Sequence, residues 1–243
     1  ADPIWEKDGR FYDAQRPNVE ENGWASPEEV HMARAFHLKN VREMLLEMDV
    51  FVFTFGLTEA WVHRETGTVF PTAPGTIAGT FDPDQFAFHN YTHSETLSAF
   101  SRFLRLIRQH RSKRLKTVVT VSPVPLTATA SGDHVLPATT YSKSVLRGVC
   151  GELTQNARLI DYFPSYELIT APSSRGIFFE RNLRSVSAAG VNTAMRTFLE
   201  QHDPAGQGAT PAPAVPAQVT SRTEDETADD LVCEDLLLEA FNK

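Results

Sequence analysis

Three short runs of β-branched and aromatic residues, each cut off by glycine or proline, constrain this chain more than any other feature. VFVFTF at 50–55 stops at Gly56, KTVVTV at 116–121 is followed by Pro123 and Pro125, and RLIDYF at 158–163 stops at Pro164. Such runs read as buried strands, because β-branched and aromatic side chains pack on a pleated surface and proline cannot continue a ladder. Apolar residues at helical spacing fill the intervals. A first helix is predicted over 25–48: Ser26 caps, Pro27 suits the first turn, Glu29 completes a capping box, and Val30, Ala33, His37, Val41, Leu45 and Met48 share a face. Thr92 and Glu95 form a second box, opening a helix through Leu97, Phe100, Leu104 and Ile107. A third helix is predicted around 140–156, with Val145, Val149 and Leu153 inward, and a last one from Ser187 as cap through Val191, Ala194, Met195 and Phe198.

The resulting order is α-β-α-β-α-β-α, with helices long enough to be crossovers. It predicts parallel strands covered on both faces, a three-layer α/β/α sandwich. Nothing ahead of residue 25 reads as a further strand. The stretch 63–91 is rich in Pro and Gly, yet Phe70, Phe81, Phe86, Phe88 and Tyr91 give it apolar anchors, so it reads as one long ordered loop.

With 243 residues, 41% of them hydrophobic, the chain can bury one sizeable core. We expect a domain over 1–202, a disordered Pro/Ala-rich linker over 203–228 and a short acidic amphipathic helix over 229–243. In the last, Leu231, Leu237, Leu238 and Phe241 share a face, suited to docking on the body or on a protein partner. Charge is unevenly placed: residues 221–243 hold eight acids and two bases, leaving 21 bases and 23 acids elsewhere. Such a body is neither suited to nucleic acid nor strongly acidic, and RQHRSKRLK at 108–116 reads as a solvated loop. No apolar run approaches the ~20 residues of a membrane span. ADPIWEKDGR lacks the parts of a secretory signal and begins without Met, which reads as a fragment or a processed chain. Two cysteines, Cys150 and Cys233, make neither a disulfide framework nor a metal cluster, and suit a cytoplasmic location.

In sheets of this kind ligands bind beyond the carboxyl ends of the strands. Those ends are Gly56 to Trp61, Ser122 to Pro125, and Pro164 to Glu167. At the first, Gly56 lets a substrate approach the backbone, Thr58 is a donor suited to an oxyanion, and Glu59 adds a carboxylate; the plainer reading is a strand-to-loop turn. His89 offers a general base with Asn90 as an orienting or oxyanion group, and Asp133-His134 offers a second imidazole with an adjacent carboxylate. Lone loop histidines are more often structural. Ser122, Ser142 and Ser165 lie near strand ends or helix starts without the tight strand–Ser–helix turn that exposes a nucleophile, so caps and turns are the plainer roles. There is no G-x-S-x-G elbow and no glycine-rich phosphate loop after a strand, and no cofactor or metal is expected.

DVFVFTFGLTEAW, GTVFPTAPGTIAGTFDP, FAFHNYTHSE, TVSPVPLTATASGDHVLPATTYSKSVLR, DYFPSYELI and GIFFERNLRSVSAAGV resemble, in order, successive blocks of the GSCFA domain family. The resemblance runs from about Trp5 to Leu199. That family is similar to the SGNH (GDSL-type) hydrolases, which implies a flavodoxin-like sandwich and an ester hydrolase or acyltransferase, with acyl groups of bacterial polysaccharides or glycans as substrates. In such enzymes a serine near the end of the first strand attacks the carbonyl, a Gly and an Asn form the oxyanion hole, and a His activates the serine beside an Asp three residues earlier. Gly56-Leu57-Thr58-Glu59 resembles the Gly-x-Asn-Asp/Glu block, with Thr58 in place of Asn. NLRSVSAAGV resembles the Asp-x-x-His ending if Ser187 and Gly190 are matched, which puts Asn182 in place of the Asp and Ser185 in place of the His. Neither replacement can do that acid–base chemistry, so either the base comes from elsewhere, with His89 and His134 as candidates, or the chain is not a standard hydrolase. The Gly-Ser-Cys-Phe-Ala block itself is expected upstream of these residues. The competing readings are a non-catalytic SGNH-like module that binds a glycan or a protein, and a structural fragment unable to fold without its first strand.

Overall fold

A computed structural model describes residues 4–202; the expected linker and acidic helix lie outside the described residues. The chain opens with a hairpin, β1 (Ile4–Lys7) and β2 (Arg10–Asp13), which overturns the expectation of no strand before residue 25. Its turn is Asp8-Gly9, both at positive φ (52° and 71°), as a tight two-residue hairpin connection requires. That dipeptide was the legible signal. Asp13 at the end of β2 binds Arg34 of the first helix at 2.7 Å and Arg16 at 2.8 Å, pinning the hairpin to the helix. Burial alone raises its carboxyl, but the two guanidinium hydrogen bonds outweigh that and hold it below its ordinary value.

α1 (Pro27–Glu47) begins at the expected cap, with Ser26 Oγ accepting from Glu29 N. β3 (Val50–Phe55) follows at once. The stretch expected to be one long loop instead holds β4 (Glu59–His63), β5 (Val69–Phe70) and β6 (Phe86–Asn90), an antiparallel sheet in the order β5-β4-β6. Strands of two to five residues are too short for their alternation to stand out from the surrounding Pro and Gly. α2 (His93–Gln109) starts with the full Thr92/Glu95 capping box. β7 (Lys116–Val121) leads to α3 (Val135–Asn156), which begins five residues earlier than expected: His134 caps it and Pro137 fits its first turn. β8 (Ile160–Tyr162), α4 (Ser165–Thr170) and α5 (Ala188–His202) complete the described chain.

β3, β7 and β8 form a parallel sheet with β7 in the centre. On one face, Phe51, Phe53, Phe55, Val119, Val121 and Ile160 meet Phe100 and Leu104 of α2 and Leu146, Val149 and Cys150 of α3 in the main core. Both crossovers advance the sheet in the same direction, so their helices share this face. Phe53, Phe55 and Phe100 sit with ring centroids 4.9–5.0 Å apart. On the opposite face α4 and α5 cover the β7 side, through Ser165 against Thr120 and Phe163 against Phe198. The architecture is therefore the expected α/β sandwich with a parallel sheet. β3 is an edge strand among the described residues, and its Val50 and Val52 are about half exposed (48% and 49%).

Candidate functional site

The strand-end block is held from three directions. Gly56 O accepts from Lys143 Nζ at 2.9 Å, Thr58 N donates to Ser142 Oγ at 2.9 Å, and Thr58 Oγ1 donates to Asn90 Oδ1 at 2.6 Å. Thr58 O accepts from Tyr91 N, so every polar atom of this buried threonine is engaged. The arrangement follows from topology. β4 pairs with β6 so that Glu59 lies opposite Asn90, and α3 packs the serine–lysine pair beneath the turn. Burial pushes the Lys143 ammonium down to about 8.

Thr58 thus has no hydroxyl proton left for an oxyanion in this arrangement. Asn90 is oriented instead: its carbonyl oxygen faces Thr58, and its Nδ2 has no hydrogen-bond partner among the described residues. Glu59 Oε1 accepts from Thr129 Oγ1 at 2.6 Å, and a chain of hydroxyl contacts continues through Ser131 to Asp133. This ties the loop carrying Asp133 and His134 to the start of β4. His134 caps α3, with Nδ1 accepting from Leu136 N at 3.2 Å, which leaves Nε2 as the protonated nitrogen of the neutral ring.

His89 lies one residue from Asn90 and so points to the other face of β6. Its Nε2 is 3.1 Å from Glu95 Oε1, and its ring meets Tyr91 edge-on. The fold therefore gathers Gly56, Thr58, Asn90 and Glu59, with the His134 loop attached, and turns His89 away. His89 and His93 are four residues apart, but they straddle the turn between β6 and α2, and His93 faces Glu152. Among the described residues no group of three or more His, Cys, Asp or Glu could hold a metal ion.

The serines have structural partners. Ser122 Oγ accepts from Val124 N, Ser165 Oγ donates to Val121 O, and the fully buried Ser142 accepts from Thr58 N. Asn182 and Ser185 make a closed turn: Asn182 Oδ1 accepts from the backbone N of 184 and 185, and its Nδ2 donates to Ser185 Oγ at 3.0 Å. Arg184 reaches from this turn to Thr127 Oγ1, at the head of the His134 loop.

Sequence reading missed Lys143 altogether and gave Ser142 only a local role. Both sit three or four residues before Leu146, on the apolar side of α3, and polar residues at such positions are the available signal.

The model of the GSCFA family matches residues 2–198. The chain belongs to the GSCFA family. No curated protein and no solved structure matches it. The family's span includes the whole constellation around Gly56 and Asn90, as well as the Asn182–Ser185 turn. Among the described residues no helix of this GSCFA domain is long and apolar enough to cross a membrane.

Proposed function

We propose that this GSCFA domain is an SGNH-like ester hydrolase or acyltransferase acting on acyl groups of polysaccharides or glycans, in the cytoplasm. The observation that carries the reading is the Thr58–Asn90 hydrogen bond, which supports Asn90 as the oxyanion donor that the Gly-x-Thr-Glu block lacks. A preorganised donor of this kind contributes about 3 kcal/mol to a transition state that develops an oxyanion. Gly56 supplies a backbone without side-chain obstruction: a Cβ there would meet nothing within 4 Å. Ser122 lines the neighbouring strand end.

His134 is one candidate base: its loop is tied both to Glu59 and to the turn where the family resemblance puts the usual base, and its Nδ1, which carries the lone pair, takes a proton once it releases Leu136 N. Glu59 then acts by positioning that loop. His89 is the second candidate. For the nucleophile we propose that the strand bearing the family's Gly-Ser-Cys-Phe-Ala block pairs with the free edge of β3. That edge is apolar on both sides. Val50 and Val52 are half exposed on one face, and a cleft of about 430 Å³ lined by Phe53, Phe55, Leu57 and Phe103 opens beside Gly56 on the other.

The test uses the protein translated from its natural start. We expect it to hydrolyse a chromogenic acetyl ester and to be labelled on a serine upstream of these residues by a serine-directed fluorophosphonate. His134→Ala should abolish turnover and His89→Ala should leave most of it. If neither hydrolysis nor labelling occurs, the enzyme reading fails and the non-catalytic glycan- or protein-binding module stands.

A further inference from the structure

The carboxyl-terminal half of α1 and the outer side of α2 enclose a groove of about 310 Å³, lined by Leu38, Val41, Leu45, Phe103 and Leu106, with Arg42 and His110 at its rim. Leu38 and Leu106 are 57% and 55% exposed, a large apolar area to leave in water. The end of α1 beside the groove is also braced. Arg111 donates to the carbonyls of Leu45 and Met48, closing an α1 terminus whose last turn holds no basic residue of its own. The two segments that form the groove are rich in basic residues on an acidic protein, and Arg42 lines the groove itself. The two stretches 38–49 and 102–116 contain nine Lys and Arg, against only Glu43, Glu47 and Asp49.

We propose that this groove is the docking site of the chain's own residues 229–243. That segment has the complementary chemistry on both counts. Leu231, Leu237, Leu238 and Phe241 recur at helical spacing, and the 23 residues from 221 carry eight acids against two bases. Reach does not restrict the match. The 26 residues of 203–228 extend up to about 85 Å, roughly twice the ~40 Å diameter of a 200-residue domain. Tethering sets the effective concentration of the segment on the order of 1 mM. A docking constant near 0.1 mM then fills the groove about nine-tenths of the time. The same charge pattern makes the contact salt-sensitive, because the rim pairs are exposed.

The test places a nitroxide on Cys233 of the full chain; Cys150 is fully buried and stays unlabelled. We expect backbone amide signals of Leu38, Leu45 and Leu106 to lose intensity several-fold, while Val191, exposed on α5, keeps its own. Charge reversal at the exposed Lys39 and Arg42 to Glu should restore the groove signals, with the rest of the amide spectrum unchanged. Uniform attenuation over groove and α5 would overturn the proposal, leaving the segment for a protein partner. So would attenuation that appears only when spin-labelled and isotope-labelled chains are mixed, since the groove would then receive a second copy.

Discussion

Gly56–Glu59 and Asn182–Ser185 are both short polar turns beside the carboxyl end of the parallel sheet, but they are held over very different distances. The first is bound to residues 32, 84 and 87 positions away, through Asn90, Ser142 and Lys143, and Thr58 is 1% exposed. The second is exposed and bound chiefly to itself, with Arg184 as its tie to another loop. A turn braced through the core holds its geometry as rigidly as the core does. A turn closed on itself can change sequence without the sheet registering it. On these grounds a substitution in the second should disturb the fold less than one in the first.

Four perturbations test that contrast. The largest effect is expected at Lys143, whose amine is pushed down to about 8 by burial. The unfolded chain then binds more protons than the folded one between pH 8 and the ordinary lysine value of 10.5. Stability relative to Lys143→Met should therefore rise with pH across that window, by on the order of 3 kcal/mol. A flat difference in urea midpoints would mean that the amine is solvated. Ser142→Ala leaves the buried Thr58 N–H without an acceptor and should cost about 2 kcal/mol in chemical denaturation. A loss below about 0.5 kcal/mol would mean that the brace is dispensable.

Gly190→Ala probes what anchors the second turn to the fold. A Cβ there would lie 2.8 Å from Val186 Cγ1 and 2.9 Å from Phe178 O, so about 1.5 kcal/mol of overpacking should appear in the melting curve. Asn182→Ala should cost least, within about 0.5 kcal/mol, since the turn is exposed. A larger loss there would erase the contrast.

Much of the framework was legible because its signals are local. The Ser26 cap, the Thr92/Glu95 capping box, the three parallel strands and the Ser187 helix start lie within a few residues of what encodes them; at α1 the Glu29 carboxylate takes Ala25 N rather than the cap's own N–H, so the expected box is not closed there. The β1–β2 hairpin was missed although Asp8-Gly9 spelled its turn, because four-residue strands carry little periodicity. The β4–β6 sheet was missed for the same reason, compounded by the prolines and glycines around it. At the site, sequence pointed to Gly56, Thr58 and Glu59 at a strand end and, separately, to Asn90 in a loop ahead of a helix. What it could not give was the use of Thr58, whose hydroxyl and amide are claimed by partners far away in the chain. Nor could it show that His89 points away from Asn90, since that depends on 86–90 forming a strand.

The central claim is that Asn90, held by Thr58, is the oxyanion donor of an acyl-transfer site. The measurement that tests it most directly is the kcat of Asn90→Ala on a chromogenic acetyl ester, in the protein translated from its natural start. The account predicts a fall of about 100-fold with KM little changed, and a smaller fall in Thr58→Val. Wild-type kcat in Asn90→Ala would contradict it.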